Sequence, residues 1–273
     1  MEIMSSEKGI LGRIVEARRE SIAHRKRVLP EPALKIAAKK ADAPRDFAGA
    51  LARDATNVIA ELKKASPSRG IIRGEFSPAT LAAGLARAGA AALSVLTEEE
   101  FFSGSLGDLK EARKSVAIPV LRKDFIVDPW QVWETRAAGA DAFLLIAAIL
   151  SDAALRELLE LGRTLGMEAL VEVHSREEME RAVAGGARII GVNNRDLRDF
   201  QVRLDTSLEL VRAIPEECVA VSESGLRRGE DLARLRRAGF DAFLIGEHLM
   251  EAADPGDQLR RLLDAAGAVH LVD

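Results

Sequence analysis

The stretch Ala138-Gly139-Ala140-Asp141-Ala142-Phe143-Leu144-Leu145-Ile146 decides the fold. A small residue and a glycine lead, after one or two residues, into an unbroken aliphatic run. Glycine takes the left-handed conformation that ends a helix, and an apolar run that follows directly reads as a strand buried on both faces. The pattern recurs at Ala88-Gly89-Ala90 before Ala92-Leu93-Ser94-Val95-Leu96, and at Gly185-Gly186-Ala187 before Ile189-Ile190-Gly191-Val192. It appears again at Ala238-Gly239-Phe240 before Ala242-Phe243-Leu244-Ile245-Gly246. The four glycines lie roughly fifty residues apart, too far for a single strand–helix unit, so each interval should hold a second strand.

Each of the three intervals does, with Pro119-Val120-Leu121-Arg122-Lys123, Ala169-Leu170-Val171-Glu172-Val173 and Val219-Ala220-Val221-Ser222-Glu223, and Val58-Ile59-Ala60-Glu61-Leu62-Lys63 precedes the first repeat. Residues 78–87, 106–116, 130–138, 153–165, 177–184, 206–213, 230–238 and 258–265 read as helices. Ser151-Asp152, and Ser175 with Glu178 three positions on, supply N-terminal caps. Strict strand–helix alternation means a parallel sheet. Eight such units favour the α/β class, as a closed (β/α)8 TIM barrel, over an open doubly wound sheet.

The expected organisation is one barrel domain over residues 1–273. Residues 1–45 form a helical N-terminal extension, 57–247 carry the eight strands and 248–273 the C-terminal helix. In the extension, Ile10-Leu11, Ile14-Val15 and then Arg18, Arg19, Arg25, Lys26 and Arg27 spell an amphipathic helix. Asp46-Phe47 with Ala50-Leu51 spells a short second one. Such a segment could cap the barrel bottom or cover the site as a lid, and the lid is favoured.

Composition narrows the function. With 39 basic against 43 acidic residues and a net charge of -4, there is no basic footprint for nucleic acid and no polybasic membrane anchor. The longest apolar run, residues 142–150, is half what a membrane span needs, and residues 1–8 lack a signal peptide's apolar stretch, so a cytoplasmic protein is expected. Cys218 is the sole cysteine, which excludes an intramolecular disulfide and a cysteine-built metal site. The histidines at 24, 174, 248 and 270 are scattered, so no metal is expected. His174 reads as a surface residue of the loop after its strand.

Two strand ends differ from the rest. Ser222-Glu223-Ser224-Gly225 and Leu244-Ile245-Gly246-Glu247 place small residues where backbone N–H groups can approach an anion, the usual phosphate position of a barrel. Charged residues inside strands are the stronger signal, since charges are rarely buried without partners. Residues two apart share a strand face. Glu61 pairs in this way with Lys63, Lys123 with Leu121, Glu172 with Leu170, Asn193 with Gly191, and Glu223 with Val221. Glu61, Lys63, Lys123, Glu172, Asn193 and Glu223 should therefore ring one opening, either as structural ion pairs or as acid–base groups, and the second reading is favoured by their place at strand ends. Arg122 and Lys64 have the opposite parity and should face outward. Asn193-Asn194-Arg195-Asp196 reads as a turn or as substrate contacts. Phe101, Phe102, Phe125 and Trp130 bring aromatic surface to the same end, for core packing or for a flat ring in the substrate.

These segments, in this order, resemble the indole-3-glycerol phosphate synthase family of tryptophan biosynthesis. The resemblance rests on Ile59-Ala60-Glu61-Leu62-Lys63-Lys64-Ala65-Ser66-Pro67-Ser68, Ser94-Val95-Leu96-Thr97-Glu98 with Phe102 and Ser105, and Lys123-Asp124-Phe125. It continues through Glu172-Val173-His174, Asn193-Asn194-Arg195-Asp196-Leu197, Ser222-Glu223-Ser224-Gly225 and Leu244-Ile245-Gly246. It implies a carboxy-lyase that closes an indole ring on 1-(2-carboxyphenylamino)-1-deoxyribulose 5-phosphate, releasing carbon dioxide and water without metal or organic cofactor. By that resemblance Lys123 protonates the substrate carbonyl, Glu172 acts in dehydration, and Lys63 pairs with the substrate carboxylate. Glu61, Asn193 and Glu223 would orient these groups. Ser66, Ser224, Gly225, Gly246 and the backbone of Glu247 would hold the phosphate, and Phe102 and Phe125 would pack on the aromatic ring, with Arg195 among the contacts. Many members of that family carry serine at position 247, and a carboxylate there should turn away from the phosphate. The partner implied is a small phosphorylated molecule, the chain being a monomer or weak homodimer.

Two other readings compete. A sugar-phosphate isomerase would want a cysteine–aspartate pair at strand ends, whereas Cys218 begins its strand; an aldolase would use Lys123 or Lys63 as a Schiff base. A phosphometabolite-binding protein would need the phosphate grip but not Lys123 and Glu172 together.

Overall fold

The computed structural model describes residues 9–196 and 201–269. Residues 1–8, Leu197 and His270 lie outside the described residues. The eight strands of the barrel are β1 (Asn57–Leu62), β2 (Ala92–Leu96), β3 (Val120–Lys123), β4 (Ala142–Ile146), β5 (Glu168–Val173), β6 (Ile189–Asn193), β7 (Val219–Glu223) and β8 (Ala242–Ile245). All neighbours run parallel and the sheet closes in the order β1-β8-β7-β6-β5-β4-β3-β2, the expected (β/α)8 barrel. Gly89, Gly139, Gly186 and Gly239 have φ of 101°, 85°, 87° and 117°, so the glycines that set the reading do end their helices in the left-handed region.

The helices are α1 (Ile10–Val28), α2 (Glu31–Lys40), α3 (Phe47–Leu51), α4 (Pro78–Arg87), α5 (Leu106–Ser115) and α6 (Pro129–Ala137). They continue as α7 (Asp152–Thr164), α8 (Arg176–Ala184), α9 (Asp205–Leu210), α10 (Gly229–Ala238), α11 (Glu247–Met250) and α12 (Pro255–Val269). The helix expected over 206–213 tightens into a 3-10 turn at Val211–Ala213. Helix α2 was not anticipated. Its start follows an N-cap at Pro30, and Pro32 sits in the first turn, where a missing N–H costs nothing. No helix among the described residues is long and apolar enough to cross a membrane.

The extension touches both ends of the barrel. Ile10, Leu11 and Ile14 of α1 line the cavity at the strand C-termini. Arg18 pairs with the fully buried Asp124, Arg25 pairs with Glu134, and Lys26 lies 2.7 Å from Asp128. At the opposite end, the Arg45 backbone N–H donates to Asp141 at 2.8 Å and its guanidinium to the Ile118 carbonyl at 2.6 Å. Phe47 and Leu51 are buried beside the start of β1. The segment therefore reaches the cavity wall with α1 and the opposite end of the barrel with Arg45.

Candidate active site

Strand alternation carries six polar side chains to one opening. Glu61, Lys63, Lys123, Glu172, Asn193 and Glu223 all line a cavity of about 560 Å³ at the C-terminal ends of the strands. Lys63 Nζ lies 2.9 Å from Glu61 Oε1. Lys123 Nζ lies 3.1 Å from Glu172 Oε2 and 3.5 Å from Glu223 Oε2, so one ammonium bridges two carboxylates.

Two glycines make room for this layer. A methyl group at Gly191 would overlap Glu223 Oε1 and meet Leu170 at 3.1 Å, and one at Gly246 would overlap the Glu61 carboxylate. Gly191→Ala is expected to displace Glu223, lowering turnover by roughly 10²-fold while costing about 1–3 kcal/mol of stability. Initial rates and thermal melts of the variant check this; unchanged rates would show that the Glu223 position is unimportant.

Burial opposes the Lys123 charge, but Glu172, Glu223 and Glu61 outweigh it and hold the ammonium protonated well above the ordinary lysine range. Burial also pushes Glu223 up, to about 7; Lys123 opposes this, and the neighbouring Glu172 and Glu61 add to it. Burial alone would raise Glu172 as well, yet Lys123, His174 and a hydrogen bond from Asn193 bring it below its usual value. Two carboxylates on one lysine thus titrate in opposite directions, the arrangement that separates an acid from a base.

Arg122 is fully buried and faces the helices, paired rather than solvated. It reaches Asp124 at 2.9 Å, Glu134 at 3.0 Å and the Thr135 hydroxyl at 2.9 Å. Burial is outweighed at Asp124 by Arg122 and Arg18, which bring its carboxyl down to about 2. Lys123 thus leaves the strand between Arg122 and Asp124, the two buried partners of one ion pair.

Phe102 and Phe125 line the cavity wall with ring centroids 5.9 Å apart. Buried Glu98 accepts hydrogen bonds from the backbone of residues 100, 101 and 102 at 3.1, 2.7 and 3.1 Å, fixing the loop that presents Phe102. At the other end of the cavity lie Ser66, Ser224, Gly225, Gly246 and Glu247. Ser224 and Gly225 have φ of 68° and 78°, a sharp turn held from below by Asn194, whose amide donates to the Glu223 carbonyl at 2.9 Å and the Ser224 carbonyl at 3.2 Å. The polar loop is divided: Asn193 and Arg195 face the cavity, whereas Asn194 serves as a brace. The Glu247 carboxylate is held by Arg69, Arg195 and Arg227 at 3.4, 3.3 and 3.2 Å.

His174 is not the surface residue expected. Its side chain is 15% exposed and lies between Glu172 and Glu178. The signal lay in spacing, since residue 174 stands two positions past Glu172 and four before Glu178.

A profile of the family described as indole-3-glycerol phosphate synthase matches residues 11–262. The chain belongs to the indole-3-glycerol phosphate synthase family. It is 48% identical over 257 residues to the synthase of Polaromonas naphthalenivorans, covering 93% of this chain and 98% of that one. It is 52% identical over 244 residues to the synthase of Chloroherpeton thalassium, covering 88% and 94%. Among solved structures, 3-hexulose-6-phosphate synthase from Salmonella typhimurium superposes with a TM-score of 0.62 at 12% identity, covering 78% of this chain and 99% of that one. At that identity the likeness speaks for the barrel alone, whereas the synthase relatives span nearly the whole chain.

Proposed function

We propose that this protein converts 1-(2-carboxyphenylamino)-1-deoxyribulose 5-phosphate into indole-3-glycerol phosphate, carbon dioxide and water, as a single-domain cytoplasmic enzyme, monomeric or weakly dimeric. The observation that carries the reading is Lys123, bridged between Glu172 and Glu223 inside a cavity with an aromatic wall at one end and a small-residue turn at the other. The Lys123 ammonium donates to the substrate carbonyl as the ring carbon attacks, stabilising the charge that develops on oxygen. Lys63 receives the substrate carboxylate, and Phe102 and Phe125 strip water from it before carbon dioxide leaves. Glu172 then serves in dehydration. Glu61, Asn193 and Glu223 orient the lysines and the substrate hydroxyls. The phosphate rests on Ser66 and the backbone around Ser224, Gly225 and Gly246, with Arg195 shared between it and Glu247.

The Schiff-base alternative fits poorly, because such a lysine must lose its proton and three carboxylates hold that of Lys123. Incubation with the carboxyphenylamino substrate is expected to produce indole fluorescence. Its absence from folded protein, or trapping of a secondary amine by borohydride in the presence of substrate, would overturn the reading.

A further inference from the structure

The proposed reaction has a proton balance that the cavity-lining residues do not settle. As the ring carbon bonds to the carbonyl carbon, one proton goes to the carbonyl oxygen, and carbon dioxide leaves its bonding pair to the ring. A second proton leaves with the hydroxyl as water, and one proton is lost from the adjacent carbon to form the new double bond. Two protons enter and one leaves, so every turnover draws one proton from solution. The groups that handle it are shielded, with Glu172 only 3% exposed at its side chain.

Behind Glu172, away from the cavity, lies a path. Glu172 Oε2 takes Lys123, while Glu172 Oε1 faces His174 Nε2 at 3.4 Å. His174 Nδ1 lies 3.4 Å from Glu178 Oε2, which also accepts the His174 backbone N–H at 2.7 Å. Glu178 stands in the first turn of α8 with its side chain 20% exposed, the most open of the three. His174 Nε2 has no hydrogen-bond partner of good geometry and does not line the cavity.

We propose that His174 and Glu178 form a proton relay behind Glu172, carrying one proton per turnover from solvent at the barrel rim to the Glu172 carboxylate. The inference rests on the proposed reaction. The imidazolium gives its Nε2 proton to Glu172 Oε1 and is recharged from solvent on the Glu178 side. His174 acts through Glu172 and is a positioning residue, not a substrate contact. The charged groups facing the ring are Glu172 from β5, Glu178 from α8 and Glu223 from β7. Burial disfavours the imidazolium, but the Glu178 hydrogen bond and these carboxylates outweigh it and raise it above the usual histidine value. The relay is therefore lost as pH rises through that raised value.

The test compares kcat, KM and pH profiles of the parent with those of His174→Gln, His174→Ala and Glu178→Gln. His174→Gln is expected to lower kcat by about 10²-fold with KM little changed, and to lose the alkaline limb that the imidazolium sets. Imidazole added to His174→Ala is expected to restore part of the rate. In Glu178→Gln, which keeps the shape of the rim, that limb should move to lower pH because the imidazolium loses an anionic partner. An active parent whose His174→Gln variant keeps kcat and pH profile overturns the relay alone, as does a loss confined to KM. If the His174 variants do not fold, an unmoved limb in Glu178→Gln overturns it. A parent that forms no indole overturns the relay together with the proposed reaction.

Discussion

Replacing Lys123 by methionine is expected to lower kcat by about 10³-fold, because it removes the cation that activates the carbonyl and keeps the side chain's length. The stability effect should depend on pH, with a sign that follows from the carboxylates left behind. In the parent, Lys123 lies 3.1 Å from Glu172 and 3.5 Å from Glu223. Without it two buried carboxyls face each other, and one proton is held more tightly than before. A carboxyl whose folded pKa is raised keeps its contribution below the unfolded value of about 4.3 and loses it as pH rises through the folded value. Since Glu223 already stands at about 7 beside Lys123, the gap in melting temperature between parent and variant should widen from about pH 5 to about pH 8. Lys123→Arg should not restore turnover, since a planar fork cannot place a point charge between the two carboxylates. Near-parent rates in Lys123→Met would remove it from the mechanism.

Much of this site was legible because strand geometry converts sequence parity into position. Glu61 and Lys63 are two apart and meet at 2.9 Å. Arg122 and Lys123 are adjacent and part company, the first among the helices and the second in the cavity. Asn193 and Asn194 divide in the same way, so the double asparagine is one cavity residue and one brace rather than a uniform loop. The barrel's closure was foreshadowed by alternation, but the seam between β1 and β8 joins residues nearly two hundred positions apart and emerges only in three dimensions.

What stayed hidden depended on partners distant in sequence. Glu247 reads as an acid placed beside a phosphate, yet Arg69, Arg195 and Arg227 come to it from three separate loops. His174 was discounted because it falls where a strand gives way to a loop. Glu178, four positions on, folds back onto it through the turn that starts α8. Gly191 looks like a weak point in a strand, and only the packed barrel reveals the Glu223 carboxylate in the space a side chain would fill. Helix α1 was recognisable as amphipathic, but its docking depends on Asp124, an acid made strong by the buried arginine next to it.

Glu172→Gln is the sharper test of how the chemistry is divided. Glutamine keeps the size of the side chain and an oxygen for Lys123, but it neither carries charge nor exchanges a proton, so kcat should fall by about 10²–10³-fold with modest change in stability. Glu172 is assigned to dehydration, which follows ring closure and decarboxylation, whereas Lys123 is assigned to the first of these. The two variants should therefore fail at different points. In a single turnover, Lys123→Met should release neither carbon dioxide nor indole. Glu172→Gln should release carbon dioxide at a rate closer to that of the parent, with indole fluorescence lagging behind as the hydroxylated intermediate accumulates. Removing the Glu172 charge also withdraws the nearest anion from Lys123, which still has Glu223 and Glu61 and so remains protonated for its own step. If carbon dioxide and indole slow together in Glu172→Gln, the carboxylate acts at or before ring closure, and the division between Lys123 and Glu172 would have to be redrawn.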